Sequence, residues 1–172
     1  QTQTQDLKAT LIYPYIGGLP VGADYNIKIY KKDTTFLDVN NAFGLNYYFS
    51  GLNYLKVFYK QRNASLISTS GLSNITVLPE YADVNTKAYG LGLFIEKFDY
   101  KFNPRRGFGV NVQSSVGSRQ IKKNPKVNDI AYSKVALKTS QYQIEGTAVG
   151  YINLIKNHVV KLSTNFGSVF GN

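Results

Sequence analysis

The chain has 172 residues, 43% of them hydrophobic and 17% charged, with 14 Tyr and 10 Phe, a mixture too apolar and aromatic for a disordered segment. It has no Cys and one histidine, His158, which excludes disulfides and thiolate metal sites and leaves paired-histidine zinc chemistry or a histidine-dependent triad poorly supplied, so no cofactor or metal is expected. A net charge of +10 asks for an anionic partner, but the basic residues are scattered instead of forming one stripe and carry no nucleic-acid-binding signature, so nucleic acid is not expected.

No run approaches the roughly 18 consecutive apolar residues of a membrane helix. The recurring signal is alternation with period two, which places successive side chains on opposite faces of a strand. Leu7, Ala9, Leu11 and Tyr13 alternate with Asp6, Lys8 and Thr10. Val21, Ala23, Tyr25, Ile27 and Ile29 then alternate with Gly22, Asp24, Asn26, Lys28 and Tyr30, and Val39, Phe43, Leu45 and Tyr47 with Asp38, Asn40, Gly44 and Asn46. A fourth strand sets Leu55, Val57 and Tyr59 against Lys56 and Lys60, and a fifth sets Tyr89, Leu91, Leu93 and Ile95 against Gly90, Gly92 and Glu96. The last three carry Phe108, Val110 and Val112 against Asn111 and Gln113, Ile144, Ala148 and Ile152 against Gln143, Glu145 and Asn153, and Val160, Leu162 and Phe166 against Lys161, Ser163 and Asn165. Val135 and Leu137 alternate in the opposite phase to Ile144, which predicts a bulge or a separate extension before the seventh strand.

Connections alternate in length. Those near Gly17-Gly18-Leu19, Ser50-Gly51 and Lys156-Asn157 are short and Asn103 to Gly107 is compact, whereas 64–86 and 119–132 are long and without strand period; the join from Lys31 to Thr35 is the short exception. Short turns on one side and longer loops on the other suit a transmembrane β-barrel, as do Tyr and Phe at strand ends, with Tyr13, Tyr15, Tyr47, Phe49, Tyr59 and Tyr100 as candidate interface residues. A soluble sandwich explains less well why Asp, Glu, Lys and Asn face one way on strand after strand, since a barrel gives that face a common polar lumen. The expected fold is therefore all-β, an antiparallel meander of about eight strands forming part of a transmembrane barrel, with the apolar set on its convex side. The chain begins at Gln1 without Met or a signal-peptide pattern and reads as an excised piece, and Gly167 to Asn172 read as loop residues. Unpaired edges are accordingly expected at the strand near Asp6 and the strand near Phe170.

The most specific segment is Asp99-Tyr100-Lys101-Phe102-Asn103-Pro104-Arg105-Arg106-Gly107-Phe108. Pro104 fixes φ for a tight turn, Gly107 can take positive φ, and Phe108 restarts the alternation. This segment resembles the turn motif of the BamA/TamA superfamily of outer-membrane assembly barrels, also called the bacterial surface antigen family, in which an acidic strand end leads into Asn-Pro, one or two variable residues, and Gly followed by an aromatic or aliphatic residue. The stretch from Leu19-Pro20-Val21-Gly22 to Lys32-Asp33-Thr34-Thr35-Phe36 is similar to Bacteroidetes-like members.

The resemblance implies that residues 1–172 are one partial domain, strands four to eleven of a sixteen-strand barrel, with Asn103 to Gly107 in a periplasmic turn and 64–86 in an extracellular loop. It implies an outer-membrane location, a non-enzymatic role in inserting, assembling or translocating proteins, and unfolded outer-membrane proteins as clients. The family's seam strands and inward-folded loop lie outside this stretch, so Asn103, Pro104, Gly107 and Phe108 carry over as structural turn residues only, and no catalytic or gating residue does.

Arg119, Lys122, Lys123 and Lys126 form a basic cluster expected in an outer loop, where it would meet lipid and lipopolysaccharide phosphates, the alternative being a merely solvated loop. An alternative is a passive porin or small ligand-binding barrel in which Lys8, Lys28, Lys56, Lys60 and Lys161 bias a lumen toward anions. An enzyme using paired carboxylates such as Glu96 and Glu145 is disfavoured, because there is no nucleophile elbow or phosphate loop and these two acids are expected to pair with luminal lysines.

Overall fold

In the computed structural model, which describes residues 4–32, 35–68, 82–125, 127–133, 135–155 and 158–171, the chain forms one eight-stranded antiparallel sheet in strict meander order. The strands are β1 (Thr4–Tyr13), β2 (Val21–Lys32), β3 (Phe36–Ser50), β4 (Asn53–Leu66), β5 (Val84–Phe98), β6 (Gly107–Ile121), β7 (Lys138–Ile155) and β8 (His158–Gly171). The sheet does not close: each strand pairs with its sequence neighbours, and among the described residues β1 and β8 are edges that do not pair with each other. All eight expected strands are present, and the expected open edges with them.

Register decides the faces. Residues directly opposite in an antiparallel pair point to the same side, and Leu7 pairs Ile29, Ile29 pairs Val39, Val57 pairs Leu91, Val110 pairs Ala148 and Ile152 pairs Val160. The apolar sets of all eight strands therefore share one face, and the polar sets share the other.

The polar face is the concave one. Lys60 on β4 and Glu145 on β7 come within 3.2 Å although β5 and β6 lie between them, a separation of roughly 14 Å sideways in a flat sheet. Small residues permit this curl, since the inside of a bend has less room: Ala88 and Gly90 on β5 face Gly117 and Ser115 on β6. At Gly90 the Phe58 ring lies so close that an added Cβ would collide with it, and a Cβ at Gly44 would strike the Lys56 side chain and the Asp24 carboxylate.

Two expectations about connections are corrected. Residues 64–66, 84–86 and 119–121 are strand, not loop. Their period was hidden because the phase reverses there: Asn85 and Gln120 on the convex face are polar, while Ala64, Val84 and Ile121 on the concave face are apolar and buried. Gly167 to Gly171 likewise continue β8, with Gly167 opposite Glu145 and Gly171 opposite Gln141, while Asn172 lies outside the described residues. Backbone pairing with β7 carries the strand through glycines and serine that read as loop in one dimension. Val135 and Leu137 belong to a separate extension before β7, with the Leu137 carbonyl accepting from the Ile121 N–H at 2.8 Å.

A small buried cluster sits at the end where the longer connections lie. Ala64, Val84 and Ile121, from the polar faces of β4, β5 and β6, pack against Val127, Ala131 and Tyr132 of the β6–β7 connection, which folds inward over the rim. Asp83 ties it down: its Oδ2 accepts from Asn124 Nδ2 at 2.9 Å and its backbone carbonyl from the Lys122 N–H at 2.9 Å. A short 3-10 helix, Asp129–Tyr132, is capped by the Asn128 side chain, which accepts from the Ile130 N–H at 3.0 Å.

Candidate functional site

Three features could act on other molecules: the convex apolar face, the concave basic face and the two ends. On the convex face Leu11, Tyr89 and Leu91 are 68%, 64% and 66% exposed, and large apolar residues stay exposed from β1 to β8. At standard spacings the face is on the order of 34 Å wide and 20 Å tall. That exceeds the few hundred Å² that monomeric soluble proteins ordinarily leave as one apolar patch.

An aromatic row crosses it. Tyr25 pairs Phe43, Phe43 pairs Tyr59, Tyr59 pairs Tyr89, Tyr89 pairs Val116, Val116 pairs Tyr142 and Tyr142 pairs Phe170. The next row toward the longer connections is polar on β3 to β7: Asn41, Gln61, Lys87, Ser118 and Ser140. Two tyrosine hydroxyls reach into it, with Tyr25 Oη donating to Asn41 Oδ1 at 2.8 Å and Tyr59 Oη to Gln61 Oε1 at 3.4 Å. On β4 to β7 this row is the last of the apolar band before polar residues, as suits an apolar-to-aqueous boundary, whereas on β2 Ile27 and Ile29 continue the band beyond Tyr25.

Of the interface candidates read from sequence, Tyr59 lies in this row. Tyr13 and Tyr47 are also exposed on the convex face, Phe49, Tyr15 and Tyr100 toward the turn end. Tyr25, Phe43, Tyr89 and Tyr142 were missed as members of a row, because cross-strand register is not visible in a single sequence.

The concave face is charged. Lys56 Nζ donates to both Asp24 oxygens at 2.8 Å, and Asn46 Nδ2 donates to Asp24 Oδ1 at 2.8 Å, so the 8%-exposed aspartate is satisfied. Arg62 grips Asp38 in a two-pronged pair, Nε and Nη2 lying 3.0 and 2.8 Å from Oδ2. Glu145 pairs with Lys60, as expected of a luminal acid, and also accepts from Gln143 Nε2 at 3.2 Å. Glu96, expected to pair with a lysine as well, forms no ion pair among the described residues; its backbone N–H donates to Asn53 Oδ1 at 2.7 Å. These faces hold a cavity of about 660 Å³ whose lining includes Lys8, Lys28, Arg62 and Arg119.

The expected basic cluster is divided by the fold. Arg119 lies in β6, opposite Thr86 and Thr139, and lines the concave cavity. Lys122 and Lys123 lie beyond β6 at the rim; Lys123 is 3.2 Å from Asp129 and 5.8 Å above the Tyr132 ring. Lys126 lies outside the described residues. Lys156-Asn157, expected as a short turn, also lies outside them.

The turn of Asn103, Pro104, Gly107 and Phe108 is organised by Asp99. Its Oδ1 accepts from the N–H groups of Tyr100, Arg105 and Arg106 at 2.9, 2.9 and 3.1 Å, and its own N–H donates to the Arg106 carbonyl at 3.1 Å. The Arg106 N–H foremost, with those of Arg105 and Tyr100, holds the Asp99 carboxyl below the ordinary aspartate value. Gly107 adopts φ of 118°, and a Cβ there would run into the Lys97 carbonyl and the Phe98 backbone. Phe108 resumes the convex pattern, 47% exposed.

Among the described residues no group of three or more His, Cys, Asp or Glu could hold a metal ion, and no helix is long and apolar enough to cross a membrane. Comparisons with protein-family models, with curated proteins and with solved structures find no match.

Proposed function

We propose that this sheet is part of a transmembrane β-barrel in a bacterial outer membrane, and that the barrel inserts, assembles or translocates other proteins there. The observation that carries the membrane reading is the exposed apolar convex face backed by a charged concave one, the arrangement of lipid outside and water inside. The band also runs obliquely, from Val21 to Ile29 on β2, from Tyr89 to Ile95 on β5 and from Tyr142 to Leu154 on β7, as tilted strands crossing a level membrane would have it.

The assembly role rests on the resemblance of the Asp99 to Phe108 turn, whose acid and glycine each have a geometric task here. In such a role the barrel offers strand edges to an incoming strand, which pairs by β-augmentation, and no bond is made or broken. Proteoliposomes containing the protein should speed the appearance of heat-modifiable, folded outer-membrane client. Folding no faster than in protein-free liposomes sinks the assembly role. Lys122 and Lys123, at the rim of the longer connections, are the remaining described candidates for lipopolysaccharide phosphates, and their replacement by Gln should weaken binding to phosphorylated lipid at low salt.

A second reading, an anion-selective porin, is favoured by the basic concave lining. Planar-bilayer recordings separate the two: a large steady anion-selective conductance supports the porin, and a closed lumen supports the assembly factor.

A further inference from the structure

The geometry points to a binding site for a small multivalent anion of the phosphate class on the concave face, held by Lys8, Lys28 and Arg119. This goes beyond the assembly role and does not depend on it.

Register places the cations in one line. Lys8 is directly opposite Lys28, Lys28 opposite Asn40, Asn40 opposite Arg62, Arg62 opposite Thr86, and Thr86 opposite Arg119. Four of these six side chains are cationic, and all four line the same cavity. Arg62 is neutralised by Asp38, and Lys60, one row away, by Glu145. Lys8, Lys28 and Arg119 form no ion pair among the described residues.

Like charges directly opposite each other in an antiparallel pair repel, and Lys8 and Lys28 are such a pair. A concave wall of low dielectric focuses the potential of these charges into the cavity and concentrates counter-ions there. An anion seated between the Lys8 and Lys28 ammonium groups relieves their repulsion. Arg119, on the far wall of the same concavity, adds a planar fork suited to phosphate oxygens, and Thr86, Asn40, Gln141 and Gln143 provide neutral donors around it. At about 660 Å³ the space between these side chains is of the size that takes small ligands.

The test is isothermal titration of the detergent-solubilised protein with inorganic phosphate and pyrophosphate, at ionic strength held constant with chloride. Expected are saturable binding, tighter for pyrophosphate, and a weakening of about tenfold or more in K28Q and in R119Q, with no change in K87Q, whose side chain faces the convex side. Circular dichroism of each variant identifies loss of fold; K8Q, on the edge strand, serves as a further variant where K28Q is misfolded. Absence of saturable binding, equal displacement by chloride, or wild-type affinity in the folded triple variant K8Q/K28Q/R119Q overturns the site. These outcomes leave client folding in proteoliposomes unaffected, so failure here and failure of the assembly role are read separately.

Discussion

Lys60 and Glu145 form an ion pair whose direction reveals how the sheet bends. Lys60 is level with Ala88, Gly117 and Gln141 across β5, β6 and β7, so Glu145 stands three strands over and four residues further toward the turn end. At standard spacings that diagonal makes about 40° with the perpendicular to the strands, in the range of strand tilt in barrels. Asp24 to Lys56 and Asp38 to Arg62 lean the same way. Charges on the concave face thus meet along one shared diagonal across the strands.

Both members of the Lys60 and Glu145 pair are about two-fifths exposed, so its worth is small. A double-mutant cycle with K60Q and E145Q should give a coupling below about 1 kcal/mol, and K60E/E145K should recover part of what either reversal alone loses. Zero coupling together with no recovery would mean that the pair does not report on curvature in solution.

Gly107 and Gly51 provide a contrast in what a methyl group costs. Both have positive φ, 118° and 58°, but nothing lies within 4 Å of a Cβ at Gly51, whereas at Gly107 it collides with the Lys97 carbonyl. Gly51→Ala should cost about 1–2 kcal/mol in urea unfolding, the left-handed penalty alone, and Gly107→Ala more than that. Equal losses would show that the β5–β6 turn can relax away from the clash.

Asp99 makes the same turn sensitive to acid. Its carboxyl is held below the ordinary value, so its stabilising contribution is complete above the ordinary aspartate pKa of about 3.9 and is lost as pH falls through the lowered folded value. In D99N that loss should be missing from the stability profile below about pH 4. The carboxylate is fully exposed, and its three backbone donors sit in the turn itself, so amide protection at Tyr100, Arg105 and Arg106 is the local readout. Identical acid profiles for wild type and D99N would remove Asp99 as the organiser.

If the convex face meets lipid, position decides what a lysine costs. Leu91→Lys, two positions from Tyr89 toward the middle of the band, should destabilise the protein in phospholipid vesicles by about 2–4 kcal/mol, and Gln61→Lys, in the polar row beyond the aromatics, by about 1 or less. Equal effects at the two sites would count against a lipid boundary at the aromatic row.

Much of this was legible in one dimension. Wherever one face is apolar and the other polar, as from Val21 to Ile29 or Tyr89 to Ile95, alternation gave both strand and face. It failed at 84–86 and 119–121, where the apolar residues Val84 and Ile121 switch to the concave face beneath the β6–β7 connection, and at Gly167 to Gly171, where pairing with β7 and not local propensity holds the strand. The site was harder still. Lys8 and Lys28 were recognisable as sharing the inward face, but that they stand directly opposite, and that Arg119 belongs with them instead of with Lys122 and Lys123, depends on register, which the connections set and which no single segment encodes.

The free edges of β1 and β8 impose a parity rule on whatever strand is laid beside them. On β8 the residues Val160, Leu162, Phe166 and Phe170 look outward at even numbers, and Lys161 and Asn165 look inward at odd ones. A newcomer shifted by two residues along that edge keeps its greasy side outward, while one shifted by a single residue turns every side chain to the wrong environment. Selection between neighbours at such an edge is therefore binary and repeated along the strand, so that a partner is read by its alternation before any individual side chain is recognised.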